Sequence, residues 1–201
     1  MSKFLSLPSL SLALTVALGG GPTQAATVPP ASFGTNVRDL SITAAEVEAA
    51  QKAWGKALIE ISETFERKGQ AAATRLATKV LDTAYAYDAG GVLFKPTLAS
   101  GPQSFRMTKA GALAYFVGGD KAYPNDPGFA LRGWKQFSYE NAGVLIDGNS
   151  AITMGKVHLI DKNGEAVSVD KTWGFRKNPS GVIRIFLHHS SLPYQPAKPT
   201  T

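Results

Sequence analysis

The chain has 201 residues, of which 44% are hydrophobic and 18% charged, a composition typical of a single globular domain. Its formal net charge is +6, but the basic residues form no continuous run, so the composition argues against a nucleic-acid-binding function. The absence of cysteine excludes disulfides and every cysteine-ligated metal site.

The first 25 residues have the pattern of a secretory signal peptide. A short positive start at 1–3 precedes an apolar stretch at 4–18, and small residues at 23–25 resemble a cleavage site. The apolar stretch is too short to span a bilayer comfortably, and no second apolar run of spanning length follows. We therefore predict an exported chain without stable membrane insertion, periplasmic in a bacterium with two membranes. Residues 26–40 are predicted to be an N-terminal tether.

Two helices are predicted next. Thr43 and Glu46 have the spacing of a capping box, which predicts a helix from this point to about Arg67. Its apolar residues recur at helical spacing: Val47, Trp54, Leu58, Ile61 and Phe65. Gly69 interrupts the pattern, and a second helix is predicted over 71–86 with Leu76, Val80 and Tyr87 on one side.

Shorter elements and then a series of strands follow. Residues 92–97 predict a short strand that ends near Pro96, and Thr108 is a candidate cap for a short helix that stops at Gly118. From about Trp134 onward, turn signals at 147–149, 161–164 and 178–181 separate strand-like segments. The predicted strands of this antiparallel meander include 151–160, 167–175 and 182–191.

Helices followed by a strand meander predict an α+β fold, in which one curved antiparallel sheet packs against the helices. The predicted domain covers residues 41–194, and residues 195–201 are predicted to be a flexible tail.

Two of the chain's three histidines stand together in the segment FLHHSSLPY, at the end of the last predicted strand. Because alternate strand residues share a face, His188 and Ser190 are expected on one face with Phe186 and Val182. His189 is expected on the opposite face, so adjacent histidines do not easily converge on one metal ion. The remaining alternatives are a packed core histidine, a proton-handling site, or a metal site for which His158 and His188 are the first candidates.

The motif HHSSLP at 188–193 resembles the iota class of carbonic anhydrases. The segments FKPT at 94–97 and AYFVGG at 114–119 strengthen this resemblance, which extends from about Ser41 to Tyr194. It implies a cone-shaped fold like that of nuclear transport factor two and the calcium/calmodulin-dependent kinase II association domain. In such a fold, a strongly bent sheet wraps around helices, encloses a pocket, and commonly forms homodimers.

The resemblance also implies reversible hydration of carbon dioxide to bicarbonate and a proton. The pocket groups of the family fall on Thr97, Tyr115, His188 and Ser190. Members of the class are described both as metal-free and as using zinc or manganese; we expect no required cofactor here, with zinc or manganese as the alternative. In this interpretation the hydroxyls of Thr97, Ser190 and Tyr115 bind water and the developing bicarbonate, while His188 accepts or orients the proton. Phe186 and Phe94 are expected to contribute to an apolar wall.

Two other functions remain open at this point. The same fold can serve as a noncatalytic ligand-binding or oligomerisation module. It can also support an isomerase or cyclase, which would need a buried carboxylate as base. Asp88 and Asp170 are the acids to examine for that role, and Asp170 is expected instead to pair with Arg176 or Arg184.

Overall fold

A computed structural model describes residues 39–196. The predicted leader, nearly all of the predicted tether, and the last five residues of the predicted tail lie outside the described residues. Helix α1 spans Ala44–Ala84 and begins with the predicted capping box. The Thr43 amide donates to the Glu46 carboxylate at 2.9 Å, and the Glu46 amide donates to the Thr43 hydroxyl at 3.2 Å. These bonds satisfy two amides that the first helical turn leaves without partners.

Gly69 bends α1 where the sequence predicted a break. Its φ of 76° lies in the left-handed region, which a residue without a side chain adopts readily. The two predicted helices therefore form one long, kinked element that ends at Ala84. After the kink the buried residues are Ala73, Ala77 and Leu81, while Leu76 and Val80 are half-buried beside them.

Short elements connect α1 to the sheet. Strand β1 covers Leu93–Lys95, and α2 covers Lys109–Val117. As predicted, the Thr108 hydroxyl caps α2, accepting a hydrogen bond from the Gly111 amide at 3.1 Å. Single turns of 3-10 helix lie at Gly101–Gln103 and Phe129–Leu131.

Four longer strands complete the sheet: β2 (Trp134–Asp147), β3 (Ser150–Asp161), β4 (Ala166–Lys177) and β5 (Ile183–Ser191). The strand order is β1-β5-β4-β3-β2. The meander from β2 to β5 is antiparallel as predicted, but β1 pairs with β5 in the parallel direction. The α+β class is confirmed, and the sheet is mixed because β1 joins its edge.

One face of the sheet packs against the helices and forms the core. Alternate residues of β3 and β4 point into it, including Val157, Leu159, Val169, Trp173 and Phe175. Trp54 of α1 meets Trp173 edge-on, with 5.5 Å between the ring centroids. Within the described part of the chain, no helix is long and apolar enough to cross a membrane.

Candidate functional site

A β-bulge in β5 sets which side chains of the histidine strand face the core. Gly174 of β4 pairs with Leu187, but the next residue of β4, Phe175, pairs with Ile185, so Phe186 is the extra residue. Ile185 and His188 are consequently both buried, each 3% exposed, although they are three positions apart.

The expectation that Phe186 shares a face with His188 is therefore wrong. Strict alternation holds from His188 to Ser190, but the extra residue reverses it before that point. Phe186 lies instead under the Arg176 guanidinium, 4.6 Å from its ring centroid, and forms no wall of the cavity around His188. Val182 precedes the strand and is exposed.

Strand β1 brings a hydroxyl to the histidine strand. Its parallel pairing with β5 sets Phe94 opposite His188, and Pro96 follows the strand end. Thr97 then lies beside Ser190, and its hydroxyl donates to the Ser190 hydroxyl at 2.6 Å. Ser190 is 1% exposed and Thr97 is half-buried, so the hydroxyl pair is largely but not wholly shielded from solvent.

Helix α2 supplies Tyr115 to the same region. Its hydroxyl is buried and forms no hydrogen bond of good geometry among the described residues. Burial raises the pKa of Tyr115 to about 12, although nearby backbone at Leu98 and the Thr97 hydroxyl partly oppose the shift. At neutral pH, Tyr115 is therefore a protonated phenol with a hydrogen to donate.

His188 is enclosed by aromatic rings and hydrogen-bonded at both nitrogens. Its Nδ1 lies 2.8 Å from the Tyr85 hydroxyl, and its Nε2 contacts the Lys171 amine. The ring centroid is 4.3 Å from that of Phe94 and 5.6 Å from that of Trp54. Burial lowers the pKa of His188 well below its ordinary value, and the neighbouring Lys171 lowers it further.

Lys171 is the most unusual residue near this histidine, and the sequence interpretation did not assign it a role. It is only 5% exposed, and its amine lies 4.5 Å from the Trp54 ring centroid and 4.9 Å from that of Trp173. Burial lowers the pKa of Lys171 well below its ordinary value. The available signal was its position between Val169 and Trp173, where it interrupts an inward-facing apolar row.

These side chains line a small enclosed cavity between the sheet and the helices. Its lining includes all four residues indicated by the family resemblance, together with Lys171 and apolar walls: Trp54, Pro96, Thr97, Tyr115, Phe116, Phe129, Val157, Leu159, Val169, Lys171, His188 and Ser190. The cavity has about 10 Å³ of water-accessible space, room for about one water molecule. In this conformation one water molecule fills the cavity beside the hydroxyl groups, so a second small molecule enters only when the apolar side chains of the lining shift.

The structure does not bring the candidate metal ligands together. His158 alternates with Val157 and Leu159, which line the cavity, so His158 lies on the opposite face of β3 from His188. There it is hydrogen-bonded to the Ser168 hydroxyl at 2.7 Å and lies 3.8 Å from the Glu140 carboxylate. Across residues 39–196, no cluster of three or more histidine and acidic side chains could hold a metal ion. The joint metal site of His158 and His188 was a wrong alternative.

The candidate carboxylate bases also lie outside the cavity. Asp88 pairs with Arg184 at 2.7 Å, and Asp170 pairs with Lys156 at 2.6 Å; both acids are well exposed. The prediction that Asp170 pairs with Arg176 or Arg184 was wrong, because Asp170 and Lys156 are direct cross-strand neighbours. No carboxylate belongs to the described lining of the cavity, so the isomerase-like chemistry has no base there.

Comparisons with known proteins point to one family. Residues 45–192 match the family model described as metal-independent carbonic anhydrase. A metal-independent carbonic anhydrase from a Nostoc species is 57% identical over 164 residues, which cover 82% of this chain and 80% of the relative.

Solved structures are similar as well. The crystal structure of an iota-carbonic anhydrase from a cyanobacterium, complexed with bicarbonate, has a TM-score of 0.79 and 57% identity, covering 81% of this chain and 99% of that one. A calcium/calmodulin-dependent protein kinase II association domain from Xanthomonas campestris has a TM-score of 0.47 and 24% identity, covering 75% and 88% of the two chains. The latter similarity is too low to support an argument about this chain.

Proposed function

The chain belongs to the metal-independent carbonic anhydrase family, and we propose that it catalyses the reversible hydration of carbon dioxide in the cavity around His188. The observation that carries this proposal is the Thr97–Ser190 hydroxyl pair and the free Tyr115 hydroxyl lining one apolar cavity. Carbon dioxide is small, linear and apolar, whereas bicarbonate presents several oxygens that need donors. A cavity largely shielded from solvent, with preorganised hydroxyls, therefore favours the charge that develops during the reaction.

The three hydroxyl groups contact different oxygens of the reacting molecules. Ser190 and Thr97 hold the attacking water and one oxygen of the developing bicarbonate. The Tyr115 phenol, which stays protonated at neutral pH, donates to another oxygen as negative charge grows on it. Fixed donors need no reorganisation during the reaction, so the protein contributes positioning and electrostatic stabilisation where a zinc enzyme would use its metal.

His188 belongs to the proton-handling part of the site. Its two nitrogens contact Tyr85 and Lys171, so a proton that leaves the water enters a hydrogen-bonded set of buried groups. Phe94, Phe116 and Phe129 supply apolar surface beside these groups. These apolar side chains exclude bulk water during the reaction.

Replacing Tyr115 with phenylalanine tests the donor role directly. Tyr115→Phe removes one oxygen and leaves the ring that stacks on Phe129 at 5.5 Å. Loss of one such donor should lower kcat by about 10²-fold, as measured by stopped-flow hydration of carbon dioxide with a pH indicator. Tyr123→Phe, outside the cavity lining, serves as the matched control. Full activity of Tyr115→Phe would show that the Tyr115 hydroxyl is not a donor in the reaction.

We further propose that the protein assembles as a homodimer through the outer face of its sheet. Leu145 and Ile152 are cross-strand neighbours there, and Met154 follows two residues along β3. They are 67%, 38% and 62% exposed, so a second copy of the chain would cover a continuous apolar strip. Light scattering of the purified protein should give twice the chain mass, and Met154→Lys combined with Leu145→Lys should halve it. A monomeric wild-type protein at micromolar concentration would contradict this assembly.

We also propose export of the chain with removal of residues 1–25, from the leader pattern described above. In a diderm host the mature protein should be recovered from the periplasmic fraction, beginning at Ala26. Intact-mass spectrometry of that fraction checks both points. An unprocessed chain found only in the cytoplasm would contradict them.

A further inference from the structure

A second cavity lies apart from the catalytic one, between the loop that follows α1 and the turn that joins β4 to β5. It has about 500 Å³ of water-accessible space, which is within the range of small-molecule sites in proteins. Basic and apolar side chains line it together, including Arg176, Lys177, Arg184, Leu93, Met107 and Phe186. It shares no lining residue with the cavity around His188, so a ligand bound here would not occupy the hydration site.

Phe186, the extra residue of the β5 bulge, gives this cavity an aromatic surface. Its ring packs against Gly174 of the neighbouring strand, where a Cβ atom would lie only 2.7 Å from the ring Cζ. The Arg176 guanidinium lies 4.6 Å from the centroid of the same ring, which is a cation–π distance. The bulge and the glycine therefore hold an aromatic ring and a positive charge together in the cavity.

Two arginines of the cavity lie opposite each other in β4 and β5. Arg176 and Arg184 are direct cross-strand neighbours, so their side chains leave the same face of the sheet. Like charges in directly opposite positions destabilise a sheet. Within residues 39–196 no carboxylate forms an ion pair with Arg176, and its Nε reaches only the Ser150 hydroxyl, at 3.4 Å. The protein without a ligand therefore holds one uncompensated guanidinium next to another arginine.

The acids near the cavity are already paired with its other two basic residues. Asp88 accepts from Arg184 Nη1 at 2.7 Å, and Glu46 pairs with Lys177 at 2.7 Å. The Arg184 Nε is buried and donates no hydrogen bond within the described part of the chain. Three basic side chains thus meet two carboxylates, and the N–H donors of Arg176 together with Arg184 Nε remain available to one further anion.

We propose that this cavity binds an organic acid, with its carboxylate at Arg176 and Arg184 and its apolar body on Phe186 and Met107. A guanidinium presents its N–H donors in a planar fork that matches the two oxygens of a carboxylate. An inorganic anion would leave the apolar lining in water, whereas a hydrocarbon would leave Arg176 uncompensated. A carboxylate on an aromatic or branched aliphatic body satisfies both. This site is independent of the proposed hydration of carbon dioxide.

Calorimetric titration of the purified protein at constant ionic strength tests the ligand class. The probe is 2-naphthoate, compared with 2-naphthamide, which has the same body without the charge, and with acetate, which has the charge without the body. We expect 2-naphthoate to bind at least about tenfold more tightly than either, since it alone gains both the charged hydrogen bonds and the apolar burial. No binding of 2-naphthoate, or equal binding of any two of the three compounds that includes 2-naphthoate, would overturn the proposal.

A pair of arginine variants places the bound probe in the molecule. Arg176 is exposed, so Arg176→Gln should fold normally, and it should weaken 2-naphthoate binding at least about tenfold. Arg132 is the matched control, because it is also an exposed arginine over an aromatic ring, 5.5 Å from the Trp134 centroid, but lies outside the cavity lining. Arg132→Gln should bind as the wild type does. Equal affinities of the two variants would overturn the placement of the site.

Thermal unfolding gives a second readout that a purely structural arginine would not produce. Arg176→Glu puts a carboxylate opposite Arg184, so the unfolding midpoint of this variant without ligand should be higher than that of the wild type. Saturating 2-naphthoate should raise the midpoint of the wild type, because it binds only the folded state, and should leave that of Arg176→Glu unchanged. An equal rise in both proteins on adding 2-naphthoate would overturn the proposal.

Discussion

Ser190→Ala should lower the metal-free hydration rate by about 10²- to 10³-fold without unfolding the protein. The Ser190 hydroxyl is 1% exposed and accepts from Thr97 at 2.6 Å, so no bulk water can replace it. Its loss removes one contact to the attacking water and leaves the Thr97 hydroxyl without its partner. The effect should appear in kcat, because the contact strengthens as bicarbonate forms.

The adjacent serine gives a closely matched control. Ser191 follows Ser190 in β5, but alternation turns it to the other face of the sheet. Ser191→Ala should therefore keep wild-type kcat under the same stopped-flow conditions. Equal activity of Ser190→Ala and Ser191→Ala would show that the hydroxyl pair does not bind the reacting water.

Asp126→Ala should destabilise the fold by about 3–5 kcal/mol, measured as a fall in the free energy of unfolding in urea. The Asp126 carboxylate accepts two hydrogen bonds from Arg106, at 2.8 and 2.9 Å. Their side chains are 7% and 3% exposed, so the substitution leaves an arginine charge buried without its partner. This pair ties the segment before α2 to the loop after it, and α2 carries Tyr115.

An exposed ion pair and a double variant serve as controls for the effect of burial. Asp82 pairs with Lys109 at 2.7 Å with about half of each side chain exposed, and Asp82→Ala should cost no more than about 1 kcal/mol. Replacing Arg106 by methionine in the Asp126→Ala background should recover part of the loss, because it removes the orphaned charge. Equal decreases in the free energy of unfolding for Asp126→Ala and Asp82→Ala would show that burial does not strengthen the Arg106–Asp126 pair.

Local patterns predicted most of the fold because the interactions that decide it are local. The capping box at Thr43, the break at Gly69 and the turn signals between the later strands depend on residues close together in the chain. Alternation likewise assigned His188 and Ser190 to one face. Phe186 was assigned wrongly because a bulge depends on how β4 and β5 pair, and the strand's own sequence does not reveal that pairing.

The residues behind the hydroxyl groups could not be predicted from the sequence, because tertiary packing alone brings them together. Trp54 and Tyr85 lie far from the histidine strand in sequence and meet it only because α1 crosses the sheet. Lys171 was visible as a break in an apolar row, but a lysine in a strand more often turns to solvent, and only its burial shows otherwise. The parallel pairing of β1 with β5, which brings Thr97 to Ser190, is equally invisible in either segment alone.

Hydration of carbon dioxide by the full chain after exhaustive chelation is the most direct test of the central claim. The protein is stripped, its zinc and manganese contents are measured by mass spectrometry, and the rate is recorded by stopped flow before and after each metal is restored. We predict an undiminished rate at metal contents far below the protein concentration, with no gain on adding either metal. Activity that appears only when zinc or manganese is restored would contradict the metal-free hydroxyl site. No activity in either state would instead favour a noncatalytic binding module.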